Sequence, residues 1–460
     1  MQRHAISDLK AWASSSSRRP LVLRGARQVG KTWLVEHFAR EHIGAVATLN
    51  LERHPRAAEL FADPSPQRNL AAIETLLGQR IEPGRCVLFL DEVQVAPQVL
   101  GRLRYFHEEL PDLHVVAAGS LLDFALADPA HHTPVGRIEY LHLEPLAFDE
   151  FAAAVAGDLV VAALRNHQLE DRTPGPVHDK LLGLCREYSL VGGMPAVVDR
   201  YRRERSLVAV APLLHALLQT LRDDFAKYAG RVPTQRLQKV FDGAARLVGR
   251  KFVYSQIDRD DRAAPLREAL EALCRARVCH RVHCVHGNGL PFAAERHDRE
   301  FKVMLLDTGL YLAALGVPLG SLSLADPLQV QAGALAEHLV GQLLRSTLPR
   351  HSGAELQYWS RSAHSATAEL DYLTAVGTTV VPIEVKAGKP GSLRSLHRFV
   401  AEKRAPIAVR IHSEPPLLSE VTTSAPDLPP QRFHLLSLPF YLVGELPRLL
   451  VALAERLGVA

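Results

Sequence analysis

The sequence has 460 residues, of which 47% are apolar and 23% are charged, and its formal net charge is +4. This length exceeds one ordinary hydrophobic core and predicts two or three domains. The composition is that of a globular protein, which excludes a fibrous or largely disordered chain. The mean charge alone does not indicate a dedicated nucleic-acid-binding protein.

The cysteine content and the lengths of the apolar runs bear on where the protein works. The five cysteines are sparse and odd in number, which indicates a reducing compartment. The first 20 residues lack the apolar stretch of a signal peptide, and no apolar run is long enough to cross a bilayer. We therefore expect a cytoplasmic protein with no membrane partner.

Short apolar runs alternate with amphipathic stretches in the first part of the chain. The runs are Leu21–Leu23, Val46–Asn50, Cys86–Leu90 and Val115–Ala118, and each is bounded by turn residues. Strands that alternate with helical patterns predict a parallel sheet with helices on both faces. The expected fold class is α/β.

A phosphate-binding motif follows the first of these runs. Residues 25–32 match G-x-x-x-x-G-K-[ST], with a strand before the motif and a helix from Lys31. In such a loop the backbone N–H groups surround a phosphate, the lysine reaches the β- and γ-phosphates and the hydroxyl holds Mg²⁺. We predict that Gly25, Gln28, Gly30, Lys31 and Thr32 bind ATP and that Thr32 is a magnesium ligand.

Two acids end the third apolar run. Asp91 and Glu92 follow Cys86–Leu90, which is the Walker B arrangement. Asp91 is predicted to position Mg²⁺, and Glu92 to polarise the attacking water. Ser120, after the next run, is predicted to sense the γ-phosphate, and a helix cap is the alternative.

Hydrolysis at such a site commonly uses a cationic finger on the transition state. Arg137 is the first candidate, followed by Arg102 and Arg104. A solvated surface arginine is the alternative reading for each of them.

The middle of the chain reads as helices followed by a hairpin. Residues from Phe148 to Tyr228 are mostly helical in pattern. Further on, Val278–Val285 and Leu290–Ala294 flank a glycine-containing turn. Helices followed by a hairpin predict a winged helix-turn-helix.

The last part of the chain begins near Pro327. The pattern predicts a helix over Gln331–Thr347 and strands near Leu356–Trp359, Glu369–Ala375 and Val380–Val385. The stretch Ser413–Gln431 is rich in Pro and Ser and is predicted to be a loop.

A second acidic pattern lies on these predicted strands. Asp371 is followed thirteen residues later by Glu384-Val385-Lys386, the D…E-x-K spacing of PD-(D/E)xK nucleases. Glu384 and Lys386 are two apart on a strand and share a face. Asp371, Glu384 and, on the predicted helix, Glu337 are candidate ligands of a divalent cation, with Lys386 stabilising charge. The alternative is a chance pattern in a structural module.

These motifs together resemble one group of prokaryotic AAA-family ATPases that carry a C-terminal restriction-endonuclease-like domain. The resemblance covers about residues 18–389 and includes several further motifs: RGARQVGKTWL, LFLDEVQ, PVGRIEYLHLEPLAFDEF, Gly192-Gly193-Met194-Pro195, Asp223-Asp224, Phe301-Lys302, Leu306-Asp307-Thr308-Gly309-Leu310 and Pro382-Ile383-Glu384-Val385-Lys386. It implies an AAA-type ATPase core (residues 1–147), a helical lid (148–230), a winged-helix-like DNA-binding region (231–326) and a PD-(D/E)xK nuclease-like domain (327–460). It also implies a homo-oligomer, such as a hexamer.

Charge is distributed unevenly along the chain. Residues 231–290 carry 12 basic and 6 acidic side chains, whereas residues 1–230 sum to −2. Residues 386–410 carry 7 basic side chains and one acidic. Cationic faces of this kind suit the phosphate backbone of DNA, and a solvated charged surface is the alternative.

We therefore predict an ATPase that hydrolyses ATP with Mg²⁺ to move on or remodel duplex or branched DNA, in a recombination or repair role. Archaeal Holliday-junction resolvases share the nuclease-like fold, which suggests branched DNA by analogy. Two alternatives stay open. One is an ATP-regulated, metal-dependent DNA nuclease, and the other is a switch-type ATPase that acts on a protein partner in signalling or defence.

Overall fold

The computed structural model describes residues 1–120, 122–127, 136–228, 232–319, 333–363, 366–387, 392–425 and 427–459. The chain forms two compact units. The first consists of Met1–Glu144, Arg275–Arg277 and Pro349–Gly353, and the second of Pro145–Cys274, Val278–Leu348 and Ala354–Ala460. Among the helices of these described ranges, none has the length and apolar character needed to cross a membrane.

The first unit contains a five-stranded sheet in the order β2-β3-β4-β1-β5, in which every pairing is parallel. Its strands are β1 (Leu21–Arg24), β2 (Ala45–Asn50), β3 (Cys86–Asp91), β4 (His114–Gly119) and β5 (Glu139–His142). Its helices are α1 (Ala5–Ser14), α2 (Lys31–His42), α3 (Pro66–Leu77), α4 (Gln98–Glu109) and α5 (Leu122–Ala127). The predicted α/β class with a parallel sheet is confirmed.

The core of this unit explains why its strands read as unbroken apolar runs. All residues of β3 and β4 are buried. Leu88 of β3 and Val115 of β4 pack with Ile73 of α3 and Phe106 of α4 in one apolar cluster. Strands covered on both faces by helices lose the polar alternation of a half-exposed strand. The carboxyl ends of the strands are left to carry the polar side chains.

The second unit begins with helices, as predicted for Phe148–Tyr228. They are α6 (Phe148–Ala156), α7 (Asp158–Arg165), α8 (Gly175–Val191), α9 (Pro195–Glu204), α10 (Leu207–Asp223) and α11 (Phe225–Tyr228). Three more helices follow: α12 (Thr234–Arg246), α13 (Tyr254–Ile257) and α14 (Ala263–Arg275).

An antiparallel hairpin follows these helices, and the winged helix itself stays a prediction. It consists of β6 (Cys279–Val285) and β7 (Arg296–Leu305). The predicted position of its second strand, Leu290–Ala294, is wrong. Pro291 lacks the N–H that a ladder needs, and Phe292–Glu295 form a 3-10 turn, so pairing starts beyond them.

The hairpin shares a sheet with the C-terminal strands. The sheet has eight strands in the order β12-β13-β11-β10-β9-β8-β6-β7. The strands not yet defined are β8 (Leu356–Ala363), β9 (Ala366–Val376), β10 (Thr379–Val385), β11 (Ile407–His412), β12 (Leu417–Thr422) and β13 (Arg432–Pro439). The predicted boundaries at 230/231 and 326/327 fall outside the described residues. Strands from both sides of the second boundary nevertheless belong to one sheet.

The remaining helices of this unit are α15 (Thr308–Ala314), α16 (Ala334–Thr347), α17 (Arg394–Lys403) and α18 (Leu446–Leu457). Helix α16 matches the predicted helix Gln331–Thr347, whose first two residues lie outside the described part of the chain. The loop predicted over Ser413–Gln431 is wrong in part, because Leu417–Thr422 form β12. This strand pairs only with β13 within the described sheet, and as a largely exposed edge strand it has no strong apolar pattern.

Candidate functional site: the phosphate loop and its acids

The predicted phosphate-binding loop connects the carboxyl end of β1 to the first turn of α2. Gly30 has a φ of +92° directly before Lys31, a left-handed conformation that glycine adopts without a steric penalty. Gln28 also has a positive φ, at 64°. The motif therefore lies between a buried strand and a helix N-terminus, the setting in which backbone N–H groups bind phosphate.

Lys31 is buried in this loop, with 9% of its surface exposed. Its Nζ donates hydrogen bonds to the carbonyl oxygens of Gly25, at 3.0 Å, and Ala26, at 2.8 Å. Burial lowers the pKa of Lys31 to about 8, against the opposing effect of the carboxylates of Glu92 and Asp91. The ammonium group is thus held within the loop at a partly desolvated position.

Asp91 ends β3 beside the same loop. Its Oδ2 accepts hydrogen bonds from Thr32 Oγ1, at 3.1 Å, and from Asn50 Nδ2, at 3.4 Å. Burial, followed by the charge of Glu92, raises the pKa of Asp91. The structure therefore brings together the two predicted magnesium ligands, Thr32 and Asp91. Sequence reasoning missed Asn50, which ends the neighbouring strand β2.

Glu92 is held by Gln94, a residue to which sequence reasoning assigned no role. Glu92 itself has a left-handed backbone, with a φ of 54°. Gln94 Nε2 donates a hydrogen bond of 2.5 Å to Glu92 Oε2. The Gln94 side chain also lies against Gly119, where an added Cβ would come within 2.2 Å of Gln94 Oε1. Glycine at the end of β4 therefore makes room for the amide that orients Glu92.

Ser120 directly follows Gly119 at the carboxyl end of β4. Its hydroxyl is buried and has no hydrogen-bond partner among the described residues. Helix α5 begins two residues further on, at Leu122, and among the described residues the Ser120 hydroxyl makes no capping hydrogen bond to it. The Ser120 hydroxyl is therefore free to donate a hydrogen bond to a bound nucleotide.

The candidate finger Arg137 lies far from this edge of the sheet. It precedes β5, whose first residue Glu139 pairs with Leu21 at the start of β1. Its Nε contacts Glu108 Oε1 at 3.2 Å, and its side chain is 53% exposed. Because all five strands are parallel, Arg137 is at the amino-terminal edge of the sheet, opposite the phosphate loop. The other two candidates are on α4, where each guanidinium lies over the ring of Tyr105.

Arg277, a partly buried arginine with a 13% exposed side chain, belongs to the first unit and was not singled out in the sequence. Arg277 Nε contacts Asp123 Oδ2 at 3.1 Å, and its Nη1 contacts Glu144 Oε1 at 3.5 Å. Arg24, the last residue of β1, pairs with the same Asp123. Arg277 has a left-handed φ of 59°. Its contacts join residues more than 130 positions apart, so no local pattern could have revealed them.

A second group of predicted residues meets in the second unit. A cavity of about 350 Å³ is lined by Glu337, Asp371 and Lys386, with Gly249 and Arg250 beside them. Glu384 Oε1 accepts a 2.5 Å hydrogen bond from Lys386 Nζ, and Asp371 Oδ2 accepts one of 2.7 Å from the backbone N–H of Val385. The structure therefore brings Asp371, Glu384, Lys386 and Glu337 to one place.

The buried ammonium of Lys302 lies between two carboxylates at this cavity, which the spacing of the acidic residues did not indicate. Lys302 Nζ lies 2.8 Å from Glu337 Oε1 and 2.7 Å from Glu369 Oε1. Burial raises the pKa of Glu337 to about 7 and that of Asp371 to about 6, although Lys302 opposes both shifts. Within the described residues, no group of three or more His, Cys, Asp or Glu side chains is placed to hold a metal ion. One oxygen of each predicted metal ligand, Glu337, Asp371 and Glu384, accepts from an internal donor.

Family comparisons match three separate parts of the chain. An AAA domain model matches residues 17–152, a domain of unknown function (DUF8612) matches residues 183–320, and a second domain of unknown function (DUF4143) matches residues 332–428. Residues 17–152 therefore form a P-loop ATPase domain of the AAA type, as the sequence resemblance implied. The restriction-endonuclease-like character of the C-terminal part stays a prediction, because the model that matches there has no assigned function.

No curated protein matches the chain. Among solved structures, the Walker-type ATPase paby2304 of Pyrococcus abyssi is 16% identical, with 68% of this chain and 95% of that chain covered and a TM-score of 0.44. The Thermotoga maritima RuvB Holliday junction branch migration motor is 17% identical, with 61% and 90% covered and a TM-score of 0.28. A structure of Drosophila ORC bound to DNA is 16% identical, with 68% and 85% covered and a TM-score of 0.26. At these values no activity or partner follows from the similarity.

Proposed function

We propose that the protein hydrolyses ATP with Mg²⁺ and uses the energy to move on or remodel duplex or branched DNA. The arrangement of Lys31, Thr32, Asp91 and Glu92 at the carboxyl edge of the parallel sheet carries the proposal. Lys31 would leave its two carbonyl partners to contact the β- and γ-phosphates, because a phosphate oxygen is the stronger acceptor. Glu92, held by Gln94, would orient the attacking water.

Magnesium fits the first unit on the observed contacts. Thr32 Oγ1 and Asp91 Oδ2 are already hydrogen-bonded to each other, at 3.1 Å, so one cation could be held by both, directly or through water. When bound, Mg²⁺ would neutralise charge that develops on the transferred phosphoryl group. Asn50 would then keep the carboxylate of Asp91 in place through its amide.

The DNA part of the proposal rests on exposed arginines in the second unit. Arg246, Arg250, Arg259, Arg262 and Arg267 are all exposed, and none of them forms an ion pair with another described residue. They lie on or next to α12 and α14 of the winged-helix-like region. Unpaired surface arginines can contact phosphate without breaking an internal pair, and the released counterions favour binding.

The other basic stretch supports DNA binding less well than its charge count indicates. Within residues 386–410, Lys386 pairs with Glu384, and Arg398 pairs with Glu402 and Asp427. Lys403 donates a hydrogen bond to Asn288. Only part of that positive charge is therefore available to a phosphate backbone.

The test is ATP turnover with and without forked, four-way and linear duplex DNA. We expect stimulation by at least one DNA, and loss of turnover in Lys31→Ala and Glu92→Gln. Wild-type turnover that no DNA stimulates, with no salt-dependent DNA binding, would contradict the DNA role and favour a switch-type ATPase with a protein partner. The nuclease alternative stays a prediction for the C-terminal cavity and is not part of this proposal.

A further inference from the structure

The carboxylate cavity of the second unit is organised around one buried lysine. Lys302, on β7, is 2% exposed. Its Nζ lies between Glu337 of α16 and Glu369 of β9, and 5.1 Å from the ring centre of Tyr358 on β8. A single ammonium group therefore links four elements, two of which carry a carboxylate that approaches it.

Internal donors occupy an oxygen of every carboxylate at this place. Glu337 and Glu369 each give one oxygen to Lys302, and Glu384 gives one to Lys386. Asp371 gives one to the N–H of Val385. Mg²⁺ needs oxygens about 2.0–2.1 Å away in a near-octahedral arrangement. A divalent cation could use only the second oxygen of each carboxylate, such as the buried Oε2 of Glu384, and it would lie beside two ammonium groups.

We propose that the ammonium of Lys302 is the resident cation of this cavity and excludes a divalent metal from it. Because the lysine is part of the protein, its contact with the carboxylates loses no translational entropy, whereas binding of a metal ion from solution does. The carboxylates therefore hold α16 against β7 and β9 through Lys302, and they do not form a metal-dependent cleavage centre. This inference is independent of the ATPase function.

The test measures binding of Mn²⁺ alone to the full chain by electron paramagnetic resonance. Every protein carries Asp91→Ala, which removes the predicted metal ligand of the ATPase domain, and nucleotide is omitted. We expect no Mn²⁺ site from the cavity in this background. Lys302→Met should add one Mn²⁺ site per chain, which binds at least about tenfold more tightly than the protein that retains Lys302. Adding Asp371→Asn to Lys302→Met should abolish this site.

Lys251→Met is the matched control. Lys251 pairs at 2.7 Å with Glu300 of β7, the strand that carries Lys302, but the Lys251 side chain is 42% exposed. Lys251→Met should leave Mn²⁺ binding unchanged. If Lys302→Met does not fold, Asp371→Asn alone still tests the proposal. It should leave Mn²⁺ binding unchanged, because the cavity holds no metal ion. A wild-type cavity that binds one Mn²⁺ and loses it in Asp371→Asn would overturn the proposal. A folded Lys302→Met protein without a new site would do so as well.

Discussion

The amide of Gln94 donates a hydrogen bond of 2.5 Å to the carboxylate of Glu92, two residues before it. Because Gln94 also packs against Gly119 at the end of β4, the amide has little freedom to turn away. Glu92 has a left-handed backbone and directly follows the last residue of β3. The two residues together place a carboxylate oxygen next to the phosphate loop.

Substitution of Gln94 should therefore slow hydrolysis without weakening nucleotide binding. Gln94→Ala removes the donor that orients Glu92, and we expect kcat to fall by about 10- to 100-fold with little change in KM. Glu92→Gln removes the carboxylate itself and should cost more, about 100- to 10,000-fold. Steady-state ATP hydrolysis measures both. A Gln94→Ala protein with the wild-type kcat would show that Glu92 does not depend on this contact.

The ATPase site could be predicted closely from sequence because its residues are local in the chain. Gly25 to Thr32 form one turn between a strand and a helix, and Asp91 and Glu92 end one apolar strand. Asn50 and Arg277 could not be found in the same way. Asn50 reaches Asp91 only because β2 and β3 are neighbours in the sheet, and Arg277 joins the first unit from a distant part of the chain.

The C-terminal cavity shows a different limit. The D…E-x-K spacing places Asp371, Glu384 and Lys386 on β9 and at the end of β10, and these strands pair because they are close in sequence. Lys302 comes from β7, which is separated from β9 by β6 and β8 in the sheet. The spacing of the acidic residues could be recognised in the sequence, but the position of the Lys302 ammonium between them could not. A pattern of ligands alone therefore did not settle what the cavity holds.

Arg277 should stabilise the first unit through its partly buried ion pairs. Arg277→Ala leaves Asp123 and Glu144 without this partner, and loss of a partly buried, charged hydrogen-bond partner costs about 2 kcal/mol. We expect faster hydrogen exchange at the amides of β1 and β5 and a lower urea midpoint. Arg275→Ala is the control, because Arg275 is exposed and in the same short segment. Equal stability of the two variants would contradict this role.

His412 should make the second unit sensitive to acid. Burial, with the charges of Arg410 and His178, lowers its pKa from 6.5 to about 4. The unfolded chain then binds more protons between these values, so the free energy of unfolding decreases as the pH falls from 6.5 to 4, by about 3 kcal/mol at most. His412→Asn, which can still accept the N–H of Glu414, should flatten this dependence in urea denaturation. An unchanged pH dependence in the variant would exclude His412 as the cause.

The exposed arginines of the winged-helix-like region should set the salt dependence of DNA binding. Removing Arg259, Arg262 and Arg267 together should reduce the slope of log K against log salt by about three, because each phosphate contact contributes about 0.9. A matched triple substitution of Arg200, Arg202 and Arg203 changes the net charge equally. Those three are already paired with Glu204 or Asp199 on α9. Equal slopes for the two triple variants would remove the winged-helix-like region from the DNA surface.

Arg137 should act on the ATP site of a neighbouring copy. It lies at the amino-terminal edge of the sheet, so it cannot reach the phosphate loop of its own subunit, and in a homo-oligomer it would complete the next site. Arg137→Ala and Lys31→Ala should each be inactive alone, with Arg137→Ala at least about 100-fold slower than wild type. An equal mixture should recover about a quarter of the wild-type rate, because half of the subunits retain Lys31 and half of their neighbours retain Arg137. A mixture that stays inactive after subunit exchange, or an active Arg137→Ala protein, would show that this arginine is not the finger.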